Sequence, residues 1–251
     1  MTKNIWITGA SSGIGKSLAL KFAKEGWQVA ASARRESLLQ ELNKNNSNIF
    51  SFPLDVKNED RTKKVFEEII KKFKSINICV FCTGMHDPES EKILNNEKIR
   101  EIMETNFFGT VNSIMAVNKY FREKENGHIS IVSSVAGYRG LPAASGYCAS
   151  KAALTSLAES IYFDFKRCNV RVSLISPGFI ETPMTNKNKF PMPFIKSPEY
   201  AAQKIFIGLT KKKSFEIHFP FAFTIMMKLL KIMPNWLYFL LLSKSVKMMK
   251  Y

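Results

Sequence analysis

Short, almost continuously apolar runs recur at 3–8, 28–32, 49–53, 76–81, 128–132 and 170–175, the pattern of strands covered on both faces. Between them, segments 14–25, 37–45, 59–73, 95–120, 147–168 and 197–209 carry helical periodicity. In 147–168 the stripe is explicit, because Leu154, Leu157, Ala158, Ile161 and Phe165 fall three or four apart on one face. Strand–helix alternation of this kind predicts an α/β fold. Its core is one parallel, doubly wound sheet of about seven strands, flanked by helices on both faces and joined by right-handed crossovers. No internal repeat or linker divides the chain. Residues 1–218 read as one domain, followed by an apolar, basic extension over 219–251.

Composition narrows the function classes. The chain has 251 residues, 45% hydrophobic and 23% charged, an ordinary range for a globular domain. No uninterrupted apolar stretch is long enough to span a bilayer, and the apolar run near the start is too short for a signal peptide. Cys79, Cys82, Cys148 and Cys168 are few and irregularly spaced, which predicts no disulfide framework and a reducing, cytoplasmic setting. The net charge of +16 invites a nucleic-acid reading. No basic stripe interleaved with aromatics supports one, so nucleic acid is not an expected partner.

Immediately after the first run comes Thr8-Gly9-Ala10-Ser11-Ser12-Gly13-Ile14-Gly15, leading straight into a helical segment. Glycines let a backbone turn tightly and approach a pyrophosphate, and the helix N-terminus then offers free N–H groups. Further on stand Ser133-Ser134-Val135-Ala136-Gly137 and Tyr147-Cys148-Ala149-Ser150-Lys151. On a helix, Tyr147 and Lys151 lie one turn apart on one face. Free tyrosine titrates about three units above neutral, equivalent to roughly 4 kcal/mol. One ammonium about 4 Å away supplies roughly that much at an effective dielectric near 20. Lys151 is therefore expected to bring Tyr147 toward working pH, provided desolvation does not cancel the effect.

Taken in order, these motifs resemble the short-chain dehydrogenase/reductase family from about residue 3 to 182, and more loosely to 218. The resemblance implies a Rossmann fold and hydride transfer between a nicotinamide cofactor and a carbonyl or alcohol. It implies that Gly9, Ser11, Ser12, Gly13, Ile14 and Gly15 hold the cofactor phosphates. Tyr147 would be the general acid–base, Ser134 would hold the substrate oxygen, and Lys151 would also bond the nicotinamide ribose. Asn106 would anchor a water in the proton relay, although an asparagine inside a helix also bonds locally to backbone. Asp55 and Val56 would receive the adenine, with a cap or turn as the alternative for Asp55. Gly84 would let the backbone approach the cofactor, and Pro177, Gly178, Ile180 and Thr182 would fix its carboxamide end.

Ala33 stands where NAD-using members carry an aspartate, and Arg34 and Arg35 follow it. A guanidinium there suits a 2′-phosphate, so NADP(H) is expected over NAD(H); the plain alternative is a pair of solvated strand-end arginines. Lys16, in the first helical turn, adds positive potential near the phosphates or is simply exposed. The stretch 183–197, with Phe190, Met192 and Phe194, occupies the place of the family's substrate lid and points to an apolar or lipid-like substrate. In the extension, Lys228, Lys231, Lys244, Lys247 and Lys250 flank an apolar run with Trp236 and Tyr238. That pattern suits peripheral contact with a membrane, a subunit contact or a cover over the site. Met226, Met227, Met233, Met248 and Met249 read as adaptable packing, and no metal is expected. The family implies a dimer or tetramer. Two rivals are a regulatory protein that binds NADP(H) without turnover and a membrane-surface scaffold.

One segment departs from the family. Phe81-Cys82-Thr83-Gly84 stands in place of Asn-Asn-Ala-Gly, which puts the local hydrogen bonding in doubt. The Cys79–Cys82 spacing there suggests a redox pair or a metal half-site, but on a strand the two would face opposite sides with Cα atoms about 10 Å apart. Neither role is expected.

Overall fold

The computed structural model describes residues 3–212 and 214–248, without the side chains of 244–248. Met249 and Lys250, and the side chains of Lys244, Lys247 and Met248, therefore lie outside the described residues. Seven strands form the sheet: β1 (Asn4–Thr8), β2 (Gln28–Ser32), β3 (Ile49–Ser51), β4 (Ile78–Phe81), β5 (Gly127–Val132), β6 (Val170–Pro177) and β7 (Glu216–Phe219). Every pairing is parallel, in the order β3-β2-β1-β4-β5-β6-β7. This is the expected doubly wound fold. The order reverses between β1 and β4, and such a reversal opens a crevice at the carboxyl ends of the strands.

The described helices are α1 (Gly13–Lys24), α2 (Glu36–Lys44), α3 (Glu59–Phe73), α4 (Pro88–Glu91), α5 (Asn96–Met103), α6 (Gly109–Lys124), α7 (Ser145–Lys166), α8 (Pro198–Ile207), α9 (Phe221–Ile232) and α10 (Asn235–Met248). Strand alternation sorts the core into two layers. Ile5 and Ile7 face one side with Leu18, Phe22 and Ile205 of α1 and α8. Trp6 faces the other with Ile69, Val117, Phe121 and Leu154 of α3, α6 and α7. Its ring stacks on Phe66 at 5.6 Å, and its indole N–H donates to Ser32 Oγ at 2.9 Å, so even this large side chain is buried without an orphaned donor. Cys79 packs in the second layer and Cys82 against the first, both as free thiols.

The structure differs from the periodicity at several points. The single helix expected over 95–120 is split into α5 and α6 by a π-helical turn, Glu104–Phe108. At its end α6 presses on Val56: a Cβ on Gly109 would lie 2.4 Å from Val56 Cγ2. Next, α4 is only one turn, too short to show a period. Another departure is the extension, which forms α9 and α10. The inner side of α9 packs Phe223 and Met227 on Val135 and Tyr138. Arg139 fastens the junction: its guanidinium donates to the carbonyls of Leu230 and Met233 and to Asn235 Oδ1, 3.9 Å above the ring of Tyr238. No described helix is long and apolar enough to cross a membrane.

Candidate active site

The chain leaves β1 through a loop that only glycine permits. Gly9 and Gly13 take φ of +70° and +53°, in the left-handed region. A Cβ on Gly9 would lie 2.8 Å from the Cys82 carbonyl oxygen, and one on Gly15 would lie 2.3 Å from the Gly9 carbonyl oxygen. The loop is thus folded tightly against itself and against the end of β4. Ser12 gives α1 no side-chain cap, so the first-turn N–H groups are left for a ligand. Positive-φ glycines, excluded side chains and uncapped amides together fit a pyrophosphate.

This loop forms one wall of a cleft of about 560 Å³. Gly9, Ser11, Ser12, Gly13, Ile14, Gly15, Arg34, Arg35, Asp55, Val56, Gly84, Ser134, Tyr147, Lys151, Pro177, Gly178, Ile180 and Thr182 all line it. Lys16 is exposed and does not. The two arginines behave differently. Arg35 donates to Ser11 Oγ at 2.9 Å and Ser12 Oγ at 2.6 Å, tying the end of β2 to the loop. Arg34 is exposed at the rim. Asp55 accepts from the Lys57 amide at 3.1 Å, so its turn-forming alternative is realised while it also lines the cleft. On the far wall, Thr182 contacts the loop directly: a Cβ on Gly13 would lie 2.9 Å from its methyl group.

The polar centre lies where β5, α7 and the π-helical turn meet. Lys151 is buried, and its Nζ donates to the Val132 carbonyl at 2.9 Å. It lies 5.7 Å from the centroid of the Tyr147 ring. Ser134 Oγ accepts from the Ala136 amide at 3.1 Å. Asn106 does not line the cleft but is fully buried behind it. Its side chain accepts from the Met85 amide at 2.7 Å and donates to the Met85 carbonyl and Ser150 Oγ, each at 3.0 Å. The local-backbone alternative for Asn106 is therefore not what is seen. A π-helical turn inserts one extra residue per turn, and here it carries Asn106 to a partner 21 positions away.

The electrostatics correct one expectation. Burial pushes the Tyr147 hydroxyl up to about 12, against a hydrogen bond with Ser134 that acts the other way. Burial also brings the Lys151 ammonium down to about 8. Desolvation is the largest influence on both groups, and both shift toward their neutral forms.

The altered segment after β4 finds other partners. Thr8 Oγ1 accepts from the Cys82 amide at 3.2 Å, and Gly9 packs on the Cys82 carbonyl. Two residues that sequence reasoning missed complete the site. His86 stacks on the Tyr147 ring with centroids 4.5 Å apart, and buried Glu91 reaches both His86 and the start of α7. Their spacing in the chain carries no motif, so only the folded geometry reveals them.

Known proteins agree with this architecture. The short chain dehydrogenase family matches residues 3–213. An uncharacterized oxidoreductase from Myxococcus xanthus is 33% identical over 236 residues, covering 92% of this chain and 93% of its own. A 3-oxoacyl-[acyl-carrier-protein] reductase FabG from Thermotoga maritima is 31% identical over 223 residues, covering 83% and 91%. A short chain dehydrogenase from Burkholderia cenocepacia in complex with NADP superimposes with a TM-score of 0.79 at 22% identity, covering 92% of this chain and 93% of that one, a likeness of fold. Sequence match and fold coincide over most of the chain, which belongs to the short-chain dehydrogenase family and is an NAD(P)-dependent oxidoreductase.

Proposed function

We propose that the chain uses NADP(H) to interconvert an apolar carbonyl compound and its alcohol. The observation that carries the reading is the convergence of Ser134, Tyr147 and Lys151 on the cleft that the glycine loop walls, with Asn106 directly behind. NADP(H) supplies the hydride when bound. Tyr147 delivers the proton to the carbonyl oxygen, and a hydroxyl held near pKa 12 in the free site remains protonated at neutral pH. Ser134 orients that oxygen. Lys151 sits close to Gly84 and Asn106: a Cβ on Gly84 would lie 3.4 Å from its Nζ and 3.6 Å from Asn106 Oδ1. Proton resupply is proposed to run inward from Tyr147 by way of Lys151. This set supports turnover over binding alone.

Arg34 and Arg35 support NADP(H), because two guanidinium groups at the end of β2 favour a 2′-phosphate and no acidic side chain replaces them. Charge-assisted hydrogen bonds are worth about 1.5–3 kcal/mol each. Replacing Arg34, which makes no bond to the glycine loop, by alanine is expected to weaken NADPH binding by about 10–100-fold while changing NADH binding about twofold or less. Fluorescence titration of both cofactors checks this; an equal loss for both contradicts it.

The lid and extension support an apolar substrate. Phe223 of α9 lies 5.4 Å from Phe179 and 6.1 Å from Phe194, so the lid and extension form one aromatic cluster beside the cleft. On its outer side Phe221, Leu229, Ile232, Trp236 and Phe239 are exposed, and no acidic residue follows Glu216 in the chain. This face is proposed to rest on an anionic lipid surface, to which apolar side chains and lysines both contribute. Wild type is expected to co-sediment with anionic vesicles, and the Leu229→Glu/Trp236→Glu variant to lose at least about tenfold of that binding. Equal partitioning would sink the membrane reading. Self-association into a dimer or tetramer is proposed on the family resemblance alone.

A further inference from the structure

Helix α7 carries both Tyr147 and Lys151, yet nothing in its own sequence caps it. Its N-cap residue is Ala144, which makes no side-chain hydrogen bond. The cap comes instead from Glu91, the last residue of α4. Glu91 Oε2 accepts from the amides of Gly146 at 2.9 Å and Tyr147 at 3.1 Å. The other carboxylate oxygen, Oε1, is 2.7 Å from His86 Nδ1. The imidazole so held stacks on the Tyr147 ring, 4.5 Å between centroids and 30° between planes. Glu91 is 5% exposed, so this carboxylate is buried where it meets His86 and the two α7 amides. Burial pushes its carboxyl upward, and the hydrogen bonds from His86 and the α7 amides more than offset that, leaving it below the usual carboxylate range.

We propose that His86 and Glu91 are positioning residues for Tyr147. Glu91 fixes the backbone of the tyrosine, and through His86 it also fixes the plane of the ring. A phenol that must hand a proton to a carbonyl needs both. Hydrogen bonds to the amides of the first turn set where the Cα sits, but they leave the ring free to swing about its side-chain torsions. A stacked imidazole anchored to the same carboxylate removes that freedom. The segment also reaches the lid: Asp87 pairs with Lys187 at 3.8 Å and Glu89 with Lys189 at 3.1 Å. These exposed pairs are weak, so the buried carboxylate is the anchor.

This inference rests on the reading of Tyr147 as the proton-transfer group, and its test separates the two. The full chain is assayed for NADPH-dependent carbonyl reduction and NADPH affinity in His86→Ala, His86→Phe, Glu91→Ala, Glu91→Gln and Tyr147→Phe. Positioning predicts that His86→Ala lowers kcat by about 10-fold or more, because small misplacements of a reacting group are costly. NADPH affinity and the thermal midpoint should stay near wild type. His86→Phe, which keeps a flat ring against the phenol, should recover most of kcat. Glu91→Gln should likewise outperform Glu91→Ala, since its carbonyl can still accept from the two amides and its NH2 can still reach His86.

Unchanged kcat in His86→Ala, with Tyr147→Phe inactive, overturns the positioning role and leaves the Tyr147 reading intact. Full activity in Tyr147→Phe removes that reading itself. Parallel loss of kcat, NADPH affinity and stability in both alanine variants, with no recovery by Phe or Gln, makes the pair merely structural and also overturns the proposal.

Discussion

Tyr147→Phe is expected to cut carbonyl turnover by about 10²–10⁴-fold, the usual weight of one positioned proton-transfer group, while NADPH affinity changes about twofold or less. The substitution removes one hydroxyl and keeps the ring, so the stack on His86 and the position of α7 persist. Steady-state kinetics with an NADPH titration on the same preparation measure both quantities. Loss of NADPH affinity in step with turnover would mean that the hydroxyl serves the binding cleft as a whole. The Lys151 ammonium is bonded to the Val132 carbonyl, and burial is the largest influence on both Tyr147 and Lys151.

Gly15→Ala carries the second large effect. In an unstrained helical position this change stabilises a protein by about 0.4–1 kcal/mol through the unfolded chain. Here the new methyl would sit 2.3 Å from the Gly9 carbonyl oxygen and 2.8 Å from its carbon. Both are backbone atoms, so no side chain can swing away. Overpacking typically costs about 1–3 kcal/mol, and the clash outweighs the helix gain. A net loss of about 1–2 kcal/mol in chemical denaturation is expected. NADPH affinity should weaken by about tenfold or more, because relief of the contact must deform the loop. An unchanged denaturation midpoint and affinity would show that the loop is looser than its geometry implies.

The strands and the glycine loop were legible in the chain because each is a local signal: a continuous apolar run, or glycines at a strand–helix junction. The six apolar runs all became strands, whereas β7 (Glu216–Phe219) alternates buried and half-buried residues over one short stretch and offers no comparable run. Tyr147 and Lys151 were legible for the same reason, being one helical turn apart. The π-helical turn at Glu104–Phe108 was not, since the side-chain bonds of Asn106 within it run to Met85 and Ser150, 21 and 44 positions away in the chain. Glu91 and His86 were invisible because a cap supplied from 55 positions away leaves no pattern near Ala144. The shift of Tyr147 followed the same rule: its nearness to Lys151 is written in the spacing, whereas its burial is not. The extension was half legible, its composition marking an unusual surface while only the fold separates Phe223 and Met227 inside from Leu229 and Trp236 outside.

The most direct test of the central claim is the oxidation of reduced cofactor by the purified full chain across a panel of apolar aldehydes, ketones and a 3-oxoacyl thioester, with NADPH and NADH run in parallel. Carbonyl-dependent oxidation of NADPH is expected at a kcat/KM at least about tenfold above that with NADH. Tight NADPH binding with no carbonyl-dependent oxidation anywhere in the panel would contradict it.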